Sequence, residues 1–172
     1  INSLLRLEPI QNGFFYSKKM SNFISENKQN YDVIIFHLTR CAQYLPKDFR
    51  GKKILEATDL GSENYEQIVK NFSIFNPLKY LYFIEKLLII NYEKRKFNLF
   101  DKVVFVSKNE LSKTRKILNK RKIINIKNYF KERKKIFVYK KDNYKILFVG
   151  NINYLPNKFA CYNFVKQDLP KI

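Results

Sequence analysis

KILFVGNINYLPNKFACYNFVKQDL, residues 145–169, reads as strand, turn and helix. Lys145–Gly150 is a short apolar run that stops at a glycine. Asn151–Asn157 is a polar turn containing Pro156, and Lys158–Leu169 carries apolar residues at helical spacing. A buried strand followed by a glycine turn and a helix is the opening half of a βαβ unit. The sequence stops at Ile172, so a second sheet domain is expected to begin here and remain unfinished. The first residue is Ile, and Ile1–Leu7 carries neither a secretory nor a transit pattern. The expectation is a piece of a larger two-domain protein, cut at both ends.

The same alternation runs upstream. Met20–Asn27 reads as a short helix. Asp32–Phe36 is a β-branched strand expected to be buried, with His37 at its carboxyl end. Gly51 marks a turn, and Lys53–Leu60 is a second strand that ends in polar residues. Asn76-Pro77 is a strong helix start, with Asn as cap and Pro in the first turn. That helix should run to about Asn98, with Leu81, Ile84, Leu88 and Tyr92 at helical spacing. Lys102–Ser107 is a third strand. Lys108–Leu118 is a helix opened by a Ser107/Glu110 capping box, and Lys122–Ile126 is a fourth strand. Val138–Asn143 is a polar connector, which divides the chain into domains at 1–137 and 138–172. Strand and helix in alternation give an α/β class with a Rossmann-like parallel sheet.

Composition narrows the class further. At 45% hydrophobic and 16% aromatic the chain is no disordered segment. The longest apolar stretch, around Leu87, is far too short to span a bilayer. Cys41 and Cys161 are far apart and form no CxxC, and His37 is the only histidine, so no disulfide framework and no metal site is signalled. This composition fits a cytoplasmic, reducing compartment. A net charge of +19 suits nucleic acid or an anionic membrane. It also suits an AT-rich genome, which inflates Lys, Asn, Ile, Tyr and Phe. Lys dominates over Arg, the better reader of phosphates and bases, which argues against nucleic acid. Between Lys113 and Lys135 stand eleven basic residues against Glu132 alone, interleaved with Tyr129 and Phe130. That run reads as a solvated face, or as a surface for the inner, anionic leaflet of the plasma membrane.

Parallel sheets bind ligands beyond the carboxyl ends of their strands. That rule selects His37–Arg40, Asp59–Glu63, Ser107 and Gly150–Asn157. His37 could act as a base or bond a sugar hydroxyl. Asp59 and Glu63 could orient hydroxyls, although helix capping explains Asp59 as well. Glu85 and Glu93 share one helix face and are expected to pair with neighbouring Lys and Arg. Gly150 would let a phosphate approach the backbone at a helix N-terminus, yet neither a GxGxxG nor a P-loop pattern is present.

In order along the chain stand His37/Arg40, Asp59/Ser62, Glu85/Glu93, Phe100-Asp101/Val106-Ser107 and Phe148/Gly150/Tyr154/Pro156/Asn157. This order resembles family-4 (group 1) glycosyltransferases of the GT-B fold, in the branch found in exopolysaccharide clusters. The likeness covers most of the chain. It implies an incomplete acceptor-side Rossmann-like domain followed by the first strand and helix of a donor-binding one. The implied activity is retaining transfer of a sugar from a nucleotide-sugar donor to a glycan or lipid-linked acceptor, with no metal and no other cofactor. His37 would be catalytic, Arg40, Asp59 and Glu63 would lie on the acceptor side, and Gly150, Asn151 and Asn157 beside the donor diphosphate. Of the family's Asn-Gly-Val-Asp segment only Asn128 is present, and the later Glu-rich motif is absent, so this piece by itself is expected to be inactive. The rival readings are a basic α/β module binding nucleic acid through 113–135 and a non-catalytic interaction domain.

Overall fold

The computed structural model describes residues 7–114, 119–129, 131 and 145–172. The chain divides into two units, 1–127 and 128–172. The connector expected at Val138–Asn143 lies outside the described residues, as does the end of the helix expected at Lys108–Leu118.

The first unit opens with α1 (Ile10–Phe14) and α2 (Lys18–Asn27), the latter capped by Ser17, whose Oγ accepts from Met20 N. Then come β1 (Val33–His37), a 3₁₀ segment (Thr39–Tyr44), β2 (Lys52–Thr58), α3 (Gly61–Asn71) and α4 (Pro77–Phe97). The unit closes with β3 (Lys102–Phe105), α5 (Lys108–Thr114) and β4 (Ile123–Asn125). The four strands form one sheet in the order β1-β2-β3-β4, every pair parallel. The α/β class and the parallel sheet are therefore as the alternating pattern predicts. Asn76 caps α4 as expected, its Oδ1 accepting from Leu78 N at 2.9 Å.

The register aligns Phe36, Leu55, Val103 and Ile123 across one face of the sheet. Leu55 and Val103 are wholly buried there, with Ala57 and Phe105 beside them. Phe97, Phe100 and Tyr92 complete this core, and Phe100 meets Phe36 edge-on at 5.9 Å between ring centroids. Each such side chain contributes roughly 2 kcal/mol by leaving water. β1 differs from the buried strand expected at Asp32–Phe36. Only Phe36 is buried, while Val33 and Ile35 are 45% and 63% exposed. The reason is position: β1 is an edge strand, and no described element covers its second face.

Helical spacing holds on α4, but it does not tell which residues are covered. Leu88 and Tyr92 are buried, while Leu81 and Ile84 are each 49% exposed. α4 is apolar all round, so spacing alone does not reveal which half meets the sheet. Lys145–Gly150, read as a strand, is exposed coil. A parallel strand is stable only when hydrogen-bonded to a neighbour, and the described part of the second unit holds no other strand. That unit does contain the expected helix, α6, but shifted to Leu155–Asn163; it continues as a π turn over Phe164–Asp168.

Candidate functional site at the carboxyl edge of the sheet

The carboxyl edge of the sheet is where the backbone departs most from relaxed geometry. Leu38, just past β1, has φ 71°, and Thr58, the last residue of β2, has φ 65°. Such values are costly for any side chain, and for a β-branched one they are a true outlier. At Thr58 the chain makes a three-residue turn, with Asp59 N donating to Ala57 O at 2.8 Å, and the β2–β3 register shifts between Glu56 and Thr58. A bulge and a tight turn together re-aim the chain into α3. Backbone strain of this kind gathers at binding and catalytic sites. The same edge holds buried oxygens without a hydrogen-bond partner, namely Thr39 Oγ1, Thr58 Oγ1 and Glu110 Oε2.

His37 ends β1, with its side chain on the uncovered face. Its Nδ1 lies 3.1 Å from Glu56 Oε2, the residue opposite it on β2. Both side chains are open to water, 63% and 46% exposed. A carboxylate at Nδ1 favours the tautomer protonated there, which leaves Nε2 as a free acceptor pointing to solvent. This is the acid–base half of many transfer sites. Sequence reasoning missed Glu56, although an acid in an otherwise apolar strand, KILEAT, was a signal.

The other expected site residues distribute as follows. Arg40 stacks its guanidinium on the Phe15 ring at 4.4 Å. Asp59 is exposed and caps nothing; Leu60 is the N-cap residue of α3, without a side-chain bond. Glu63, in the first turn of α3, forms an ion pair with Lys113. Ser107 caps α5 through Asn109 N, but Glu110 does not close the predicted capping box. It reaches across to Leu60 N at 3.3 Å instead.

The salt bridges expected of Glu85 and Glu93 do not form. Both are buried, 5% and 1% exposed, and both act as caps for other helices. Glu85 accepts from Ile10 N at 2.9 Å and Gln11 N at 3.1 Å, closing the start of α1. Glu93 accepts from Ser62 N at 3.3 Å at the start of α3. A helix N-terminus has free N–H groups and a positive dipole, so a carboxylate serves it better than a lysine on the surface would serve the carboxylate. Gly61 makes room: a Cβ there would stand 3.3 Å from Glu93 Oε1 and from Ile89 Cγ2. Burial pushes the Glu93 carboxyl up to about 7, against the pull of the Ser62 and Gly61 donors. Burial also raises Glu110, opposed by its bond from Leu60 N–H. Three acids thus hold the α3 start: Glu93, Glu110 and, through Lys113, Glu63. Beside them is a cleft of about 170 Å³ lined by Leu60, Ser62, Glu63, Glu66, Ile90 and Glu93. A larger hollow of about 420 Å³ lies at the opposite, amino edge, around Asp32, Asp48 and Gly51. Volume favours that hollow, but strain and chemistry favour the carboxyl edge, and chemistry is the better guide in a parallel sheet.

In the second unit, Gly150, Asn151 and Asn157 do come together. Asn157 Nδ2 donates to Asn151 O at 3.1 Å, and Asn151 Oδ1 accepts from Asn153 N at 3.0 Å. A Cβ on Gly150 would meet Phe148 Cζ at 2.9 Å and Asn157 Nδ2 at 3.1 Å. No side chain caps the start of α6. Among the described residues, no group of His, Cys, Asp or Glu is placed to hold a metal ion, Cys41 and Cys161 are free thiols, and no helix is long and apolar enough to cross a membrane. No protein-family model matches the chain, and no curated protein or solved structure matches it significantly.

Proposed function

We propose that the chain belongs to a sugar transferase of the GT-B type, which moves a sugar from a nucleotide-sugar donor to a glycan or lipid-linked acceptor in cell-surface polysaccharide synthesis. The observation that carries this reading is the His37–Glu56 pair at the end of β1, beside the strained Leu38 and Thr58. In this reading His37 Nε2 receives an acceptor hydroxyl, and Glu56 positions the imidazole. Asp59, in the turn after β2, and Arg40, in the 3₁₀ segment after β1, bind acceptor polar groups. The turn at Gly150–Asn157 takes the donor diphosphate, where a glycine and an uncapped helix start favour an anion. Charge developing on the leaving diphosphate is met by preorganised N–H donors, so no covalent nucleophile or metal is assigned.

The experiment is sugar transfer from a panel of labelled nucleotide sugars to membrane extract, using the protein expressed from its full reading frame. Label should enter a lipid-linked or polymeric glycan, and His37→Ala should abolish it. Glu56→Gln should lower kcat more than it raises KM, because it loosens the imidazole without removing it. Incorporation that is indifferent to His37→Ala would overturn the assignment.

A further inference from the structure

The first half of α4 and the turn before it are far more apolar than a free surface requires. Phe75 is 89% exposed, and Tyr80, Leu81, Phe83, Ile84 and Leu87 are between 43% and 61% exposed. Single exposed apolar side chains are ordinary, but a continuous set marks a surface that is covered in use. Tyr80, Ile84 and Leu87 recur at helical spacing and form one stripe, which Leu81 and Phe83 broaden on either side.

Charge decides what covers it. From Gln67 to Tyr92 the only carboxylate is Glu85, and it is buried against α1. Lys70 is paired with Glu66 at 2.8 Å, so the charges left to the face are Lys79 and Lys86. Lys86 lies across the Phe83 ring, its Nζ 5.6 Å from the centroid, and Lys79 Nζ reaches Phe72 O at 2.9 Å. Both amines thus sit beside the aromatic stripe on apolar stems, the arrangement that lets a lysine bury its chain and hold its charge at a polar boundary. A second copy of this chain would bring another +19 to the contact, which disfavours self-association. Aromatic rings and aliphatic side chains flanked by amines, with no acid within the stripe itself and the neighbouring Glu66 paired with Lys70, suit the headgroup layer of an anionic bilayer.

We propose that Ser73–Leu87 is a membrane-docking surface that lies in the interface of an anionic bilayer, with Phe75 and Ile84 as its apolar anchors and Lys79 and Lys86 on lipid phosphates. It is separate from the basic run at 113–135. It does not depend on the sugar-transferase reading; under that reading it would bring the carboxyl edge of the sheet to a lipid-linked acceptor.

The sequence contains no tryptophan, so Phe75→Trp installs a single indole at the most exposed anchor. Its emission should shift to the blue on adding phosphatidylcholine–phosphatidylglycerol vesicles. Partition should be at least roughly tenfold weaker into phosphatidylcholine alone and should fall with added salt, as expected for several lysines near an anionic surface. The same indole placed by Tyr129→Trp or Tyr31→Trp should not shift. Adding Ile84→Ser to Phe75→Trp should weaken partition several-fold while far-UV circular dichroism stays unchanged. No shift with anionic vesicles overturns the proposal. So does an equal shift with neutral vesicles, or a shift from Tyr129→Trp in place of Phe75→Trp. A shift without vesicles that grows with protein concentration would assign the face to a second copy instead.

Discussion

Replacing Glu93 by Gln separates the two things this residue does. Its carboxyl caps α3 through Ser62 N, and it is almost completely buried. Burial holds it at about 7, against 4.5 for a free glutamate. Ionising it inside the fold therefore costs roughly 3 kcal/mol more than in the unfolded chain, at about 1.4 kcal/mol per pH unit. Because the folded acid is the weaker one, the folded state keeps a proton between about pH 4.5 and 7 that the unfolded chain has released. Stability from this group is thus fully present below that window, falls as pH rises through it, and levels off above about 7. Gln cannot ionise but still offers an acceptor to Ser62 N–H. Its NH2 group cannot accept from a neighbouring N–H as a second carboxyl oxygen can, which costs roughly 1 kcal/mol at every pH. Denaturant unfolding of both proteins at pH 5, 6, 7 and 8 gives the difference curve, in which other titrating groups cancel. Glu93→Gln should be equal to or slightly below the parent at pH 5 and about 2 kcal/mol above it at pH 8. A difference that stays flat, or that turns against Gln as pH rises, would show that the α3 dipole outweighs desolvation and would refute the argument.

Other outcomes follow from the same contacts. Glu85→Ala leaves two N–H groups of α1 without their carboxylate, so it should cost about 2–3 kcal/mol and raise hydrogen exchange at Ile10 and Gln11 before other amides. Gly61→Ala places a methyl 3.3 Å from Glu93 Oε1 and Ile89 Cγ2, so the denaturation midpoint should show less than the gain of about 1 kcal/mol that Gly→Ala brings at an open helix position. Thr58→Gly relieves a positive φ; it should stabilise the fold by about 1 kcal/mol, and under the proposed function it should lower transfer in the same assay.

How much of this was legible in the sequence depended on whether the signal was local. The strands at Val33–His37 and Lys102–Phe105 and the cap at Asn76 are written in β-branched runs and in one Asn-Pro pair. Covering, by contrast, is a tertiary property. Val33 and Ile35 look like core residues and are not, because β1 is an edge. Lys145–Gly150 looks like a strand and is coil, because a strand needs a neighbour. The acids were misjudged for the same reason. Glu85, Glu93 and Glu110 each find their partner far along the chain, at Ile10, Ser62 and Leu60, and helix spacing brings only near neighbours to mind. At the candidate site, His37 was readable from its place at a strand end. Its partner Glu56 and the strain at Leu38 and Thr58 were not, since a cross-strand register and a positive φ leave little trace in residue type.

The most direct test of the central claim is a map of amide ¹⁵N shifts on adding a short-chain prenyl diphosphate sugar as acceptor surrogate. Saturable shifts should concentrate at His37–Arg40 and Thr58–Ser62 and be lost in His37→Ala. Shifts confined to the hollow around Asp32, Asp48 and Gly51, or no saturable shifts at all, would contradict that claim.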